Sequence, residues 1–135
     1  MRGQETFDYI VIGAGPAGIA ATAELSRLGY RITLFESFEK IGGALNLIPD
    51  KRLPFEVIAK DWSFIDDPDM IELRLNTPVN NPAALLEQDF DGVIVATGEP
   101  EGINLGIDGE EHAVSYLDYL RHPEHYAARG NIAVI

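Results

Sequence analysis

The apolar run Tyr9-Ile10-Val11-Ile12 breaks into Gly13-Ala14-Gly15-Pro16-Ala17-Gly18, and a helical pattern follows. A second apolar run, Ile32-Thr33-Leu34-Phe35, ends at Glu36, 18 positions after Gly18. Glycines spaced G-x-G-x-x-G carry little weight alone. With a strand before them, a helix after them and an acid at this distance, they mark a dinucleotide-binding βαβ unit.

The chemistry needs these residue types. Gly13 allows a tight exit from the strand, Gly15 lets backbone approach a pyrophosphate, and Gly18 lets helix and sheet pack closely. Free N–H groups at the helix start, around Pro16 to Gly18, favour an anion, and Pro16 suits a first helical position. Glu36 is placed to accept hydrogen bonds from the two ribose hydroxyls of an adenosine. It would repel a 2′-phosphate by about 1–4 kcal/mol at about 4 Å, depending on the effective dielectric. FAD or NAD therefore fits this half-site better than NADP.

At 135 residues the chain is long enough for a core of its own. Ten basic against 22 acidic residues give a net charge of −12, which argues against nucleic acid or an anionic membrane surface as partner. No cysteine is present, so disulfides, thiolate metal sites and a redox-active cysteine pair are excluded. The polar N-terminus lacks a hydrophobic signal segment, and no apolar run approaches the roughly 20 residues that span a bilayer. A cytoplasmic location is the expectation.

Strand and helix patterns alternate. Strands are expected over about 7–12, 31–35, 71–75 and 92–96, the last as a buried strand. A helix over about 16–28 should set Gly18, Ala21, Leu25 and Leu28 against the sheet, with Thr22 bonding a carbonyl one turn back. Gly29 is a good stop. A helix from Pro54 should bury Phe55, Ile58, Ala59, Trp62 and Ile65. Short helices are expected over 82–88 and, with Ser115 as N-cap, over 115–120. The alternation predicts an α/β, Rossmann-like parallel sheet with helices on both faces and sites at the carboxyl ends of its strands. Residues 131–135 read as a new buried strand. The expectation is a dinucleotide-binding domain over 1–130, with 131–135 opening a second domain that the chain does not contain.

Other groups read as structural. His112, His122 and His125 have the pattern of surface histidines. Asp61, Asp66, Asp67 and Asp69 form a solvated acidic patch without calcium-loop spacing. Trp62 reads as core, and Ser115 lacks a base partner.

The stretches IGAGPAGIAATAELSRLGYRITLFE, IGGALNLIPDKRLPFEVI, LNTPV, FDGVIVATG, GIDGE and VSYLDYL lie in order from Phe7 to Leu120. Together they resemble the N-terminal FAD-binding segment of the pyridine-nucleotide-dependent flavoprotein oxidoreductases. The similarity is greatest to the glutamate synthase small-subunit group, with the 2,4-dienoyl-CoA reductase and NADH:flavin oxidoreductase group related. GNIAVI resembles the opening of that family's NAD(P)H-binding domain.

The resemblance implies roles for particular residues. Gly13, Ala14, Gly15, Pro16, Ala17 and Gly18 match the FAD pyrophosphate turn, and Glu36, with Ser37 beside it, the adenosine ribose site. Gly42 and Gly43 match a double glycine where a loop passes the cofactor, with Ala44 and Leu45 next to it. Arg52 matches a basic residue facing the flavin or pyrophosphate, Val79 a strand end whose backbone meets adenine, and Ala96, Thr97 and Gly98 a second turn near the cofactor. No cysteine pair follows Gly43, so disulfide-reductase chemistry is excluded.

The implied function is that of an FAD domain in an NAD(P)H-dependent flavin oxidoreductase. Electrons would pass from NAD(P)H on an adjacent domain through FAD to an iron–sulfur or flavin partner. No residue qualifies as catalytic, and the chain alone should not turn over. The alternatives are a non-catalytic adenine-dinucleotide module and an NAD-dependent dehydrogenase.

Overall fold

The computed structural model describes residues 8–99, 101–126 and 130–134. It divides into two compact units, which meet between Gly98 and Glu99.

The first unit is built on a parallel sheet of four strands, β1 (Asp8–Ile12), β2 (Arg31–Phe35), β3 (Ile71–Arg74) and β4 (Gly92–Val95), in the order β3-β2-β1-β4. In register, Val11 pairs with Leu34 and Ile94, and Leu34 with Leu73. Alternation then puts Val11, Ile32, Leu34 and Ile71 on one face and Ile10, Ile12 and Phe35 on the other. Helices α1 (Pro16–Arg27) and α2 (Phe55–Ser63) bury the first face, through Ile19 and Leu25 of α1 and Ile58 and Trp62 of α2. The second face is covered more thinly. A 3-10 helix over Pro82–Leu85 brings Leu85 down beside Val79, Phe90 and Val93. Ile10, Val11 and Leu34 are fully buried, each removal from water stabilising by about 1.5–3 kcal/mol. The expected Rossmann-like α/β architecture is borne out.

α1 begins at Gly15 as N-cap and ends where Gly29, at φ +89°, turns the chain. The Gly29 N–H donates to the Ser26 carbonyl and the Tyr30 N–H to that of Leu25, a Schellman motif. α2 starts after Pro54, with Glu56 in its first turn and Lys60 in its last, each favourable to the helix dipole. No helix among the described residues is long and apolar enough to cross a membrane.

Several local expectations are corrected. Leu28 lies past the last turn of α1 and is more than half exposed. The Thr22 hydroxyl is buried without a hydrogen-bond partner, a local cost of about 1–3 kcal/mol. The helix expected over 82–88 shortens to the 3-10 helix, in which Leu85 packs on the sheet while Leu86 is 61% exposed, so tertiary packing holds only one turn. β4 is not a buried strand: it is an edge strand and Val95 is 59% exposed. Phe7 and Ile135 lie outside the described residues.

The second unit contains α3 (Tyr116–Arg121), capped as expected by Ser115, whose Oγ accepts from the Leu117 N–H at 3.3 Å. The Glu110 carboxylate gathers the Leu105 and Gly106 amides at 2.7 Å each. These N–H groups, that of Leu105 first, hold its carboxyl below the usual glutamate range. Residues 131–134 have no strand pairing, and Ile132 and Val134 are 67% and 94% exposed. A strand needs a neighbouring backbone for its N–H and C=O groups, and no described residue of this unit supplies one.

Candidate functional site

All four strands of the first unit run the same way, so their carboxyl ends share one edge of the sheet. Three segments converge there: the turn after β1, the acid after β2 and the turn after β4.

The turn after β1 is held tightly. The Gly13 N–H donates to the Phe35 carbonyl at 2.8 Å, and the Ala96 N–H to the Ile12 carbonyl at 2.8 Å. Gly13 sits at φ +102°, and a Cβ there would lie 2.4 Å from the Ala96 oxygen. Only glycine meets both conditions. Gly15 differs from its neighbours: the nearest heavy atom to a Cβ built on it is Gly43 Cα, at 3.8 Å. Its position is therefore open except on the side where Gly43 approaches.

Helix α1 opens beside that space. Its first intrahelical bond runs from the Ile19 N–H to the Gly15 carbonyl at 2.9 Å, which leaves the amides of Ala17 and Gly18 without an acceptor in the helix. Such amides, with the helix dipole behind them, fit a phosphate. The loop after β2 completes the rim. The Gly42 N–H donates to the Ala14 carbonyl at 2.7 Å, and a Cβ on Gly43 would lie 2.9 Å from Gly15 Cα.

Glu36 is 5% exposed, and its carboxylate is turned onto protein donors. Oε2 accepts from the Ala14 N–H at 2.8 Å. Oε1 accepts from the Phe38 N–H at 3.0 Å and the Ser37 hydroxyl at 3.1 Å. The acid thus ties the glycine turn to the chain after β2, a structural role that spacing alone does not reveal.

The structure brings Gly13, Ala14, Gly15, Gly18, Glu36, Ser37, Gly42, Gly43, Ala96 and Thr97 into one neighbourhood. Pro16, Ala17 and Gly98 flank it, exposed. Ala44 is exposed on a 3-10 helix, beside Gly43, while Leu45 packs against the core. Val79 packs against Ile10, Ile12 and Phe35. Arg52 is exposed in the turn before α2, its N–H donating to the Pro49 carbonyl at 2.7 Å. In the second unit, a 3-10 helix over Pro123–His125 gathers His122, Glu124 and His125, with ligand atoms within 4.8 Å of one another. All three are exposed, in keeping with the surface histidines expected from the sequence, and it is the three-residue turn that eclipses positions 122 and 125.

Comparison with known proteins agrees with this geometry. Residues 11–64 match the family model described as an NAD(P)-binding Rossmann-like domain. The chain is 36% identical over 104 residues to the NADP(+)-dependent formate dehydrogenase subunit beta of Moorella thermoacetica, covering 75% of this chain and 15% of that protein. It is 32% identical over 115 residues to the glutamate synthase (NADPH) small chain of Bacillus subtilis, covering 82% of this chain and 23% of that protein. Among solved structures, histamine dehydrogenase from Rhizobium sp. 4-9 superimposes with a TM-score of 0.63 at 26% identity, covering 79% of this chain and 17% of that one. The chain thus spans less than a quarter of the length of each of these proteins. The resemblance drawn from the motifs is borne out: residues 11–64 match the model of an NAD(P)-binding Rossmann-like domain, and the relatives the chain resembles are pyridine-nucleotide oxidoreductases.

Proposed function

We propose that this chain is the FAD-binding domain of an NAD(P)H-dependent flavin oxidoreductase, and that its own residues grip the ADP half of the cofactor. The observation that carries the reading is the open position before Gly15, bordered by the amides of Ala17 and Gly18 and by the Gly43 backbone. Backbone can approach a pyrophosphate there without a side chain in the way. Glu36 lies one residue from the end of β2, where a ribose would follow. The similarity to the glutamate synthase small chain and to histamine dehydrogenase supports a flavoprotein.

Bound FAD would supply hydride and electron transfer. The protein residues orient the nucleotide: α1 holds the phosphates, and Glu36 discriminates against a 2′-phosphate. No acid–base pair stands in this unit beside the glycine turn among the described residues, so turnover requires further domains. In this reading those are an NAD(P)H-binding domain, opening near 131–135, and an iron–sulfur or flavin electron partner, in a cytoplasmic enzyme.

The test is to titrate the purified chain with FAD and follow the flavin spectrum, then compete with NAD. A perturbed flavin spectrum that NAD does not reverse supports the proposal. Tighter binding of NAD than FAD, or no FAD binding, overturns it.

A further inference from the structure

An ionised carboxylate has about four acceptor positions, two on each oxygen. On Glu36, Oε1 carries two donors, the Phe38 N–H at 3.0 Å and the Ser37 hydroxyl at 3.1 Å. Oε2 carries one, the Ala14 N–H at 2.8 Å. One position therefore stays open, on Oε2. A ribose diol bound across a carboxylate places one hydroxyl on each oxygen and needs two.

The three donors are not equally able to leave. The Ala14 amide belongs to the glycine turn, fixed by the Gly42 N–H on the Ala14 carbonyl at 2.7 Å. The Phe38 amide belongs to a segment whose carbonyl accepts from the Asn76 N–H at 2.9 Å. The Ser37 hydroxyl needs only a rotation about one torsion to leave Oε1, and Ser37 is exposed, so water takes up its hydrogen bond.

We infer that the Ser37 hydroxyl competes with the ribose for Oε1 of Glu36, and that this side chain sets how tightly the site takes an adenosine diol. The inference rests on the dinucleotide reading above. Ser37 thus weakens the ligand it borders: it fills the carboxylate before binding and must release it during binding. The weakening applies only to ligands that offer both ribose hydroxyls, because a ligand with neither makes no claim on Oε1.

The test compares ADP with 2′,3′-dideoxy-ADP on the 135-residue chain, by calorimetric titration of the parent, Ser37→Ala and Ser37→Thr. Thermal melts check that each variant is folded. Ser37→Ala is expected to bind ADP about three- to tenfold more tightly than the parent, the size of one ordinary net hydrogen bond whose donor water can otherwise satisfy. It should bind the dideoxy compound as the parent does, and Ser37→Thr, which keeps the hydroxyl, should match the parent with ADP. Equal or weaker ADP binding by Ser37→Ala, or the same gain with both ligands, overturns the inference. If ADP binds neither parent nor variants, the dinucleotide reading itself fails and the inference falls with it.

Discussion

A Cβ built on Gly18 would stand 1.7 Å from the carbonyl oxygen of Gly13. The first turn of α1 lies directly on the turn that leaves β1, with the Val11 side chain 3.4 Å from the same point. No flexible group is there to give way, so Gly18→Ala must move the helix off the sheet. We expect a loss of at least about 1–3 kcal/mol, read as a lower urea midpoint at unchanged slope.

Gly15→Ala should behave in the opposite way. Gly15 has φ −78°, which any residue adopts, and the new methyl meets only Gly43 Cα, at ordinary contact distance. The fold should lose no more than about 1 kcal/mol, from poorer capping of α1. ADP affinity should drop by about tenfold or more, since the methyl occupies the phosphate approach. Paired melting and titration curves of this variant separate a binding role from a packing one.

Glu36→Gln keeps size and shape but puts an NH2 where one carboxylate oxygen accepts. Either the buried Ala14 amide or the part-buried Phe38 amide is then left facing a donor. The expected loss is about 1–3 kcal/mol by chemical denaturation. ADP binding should weaken as well, and both effects should appear together.

The second unit offers a pH test. The Glu110 carboxyl is held below its ordinary value, first by the Leu105 N–H and also by those of Gly106 and Ile107. A depressed folded-state pKa means this contribution is present above the unfolded pKa and is lost as pH falls through the folded one. NMR titration should find Glu110 ionising at lower pH than a free glutamate. The Leu105 amide should lose protection from exchange in that same acid range, and Glu110→Ala should expose it at neutral pH.

The β1–α1–β2 unit was legible because each part follows from local rules: apolar runs, a glycine-rich exit, a helix stop at Gly29. The bond pattern of Glu36 was not, because it depends on a side-chain rotamer and on backbone amides 22 positions upstream and two downstream. The opposite character of Gly15 and Gly18, one open and one in contact, likewise needs the position of Gly43 and of the Gly13 carbonyl. Val79 and Leu45 match motif positions, and that their side chains also pack against the core is not visible in a motif. β4 looked buried from Val93-Ile94-Val95-Ala96, since composition cannot tell a central strand from an edge. The run 131–134 has strand-like residues without a partner strand among the described residues, and pairing, unlike propensity, is not local.

The central claim is that a dinucleotide lies over the amino end of α1. The most direct measurement is amide chemical-shift mapping of the labelled chain during titration with ADP. The account predicts that the largest changes fall on Ala14–Gly18, on Glu36–Phe38 and on Gly42 and Gly43. Changes centred instead on the opposite edge of the sheet, around Arg31 and Met70, or no saturable change at all, would contradict it.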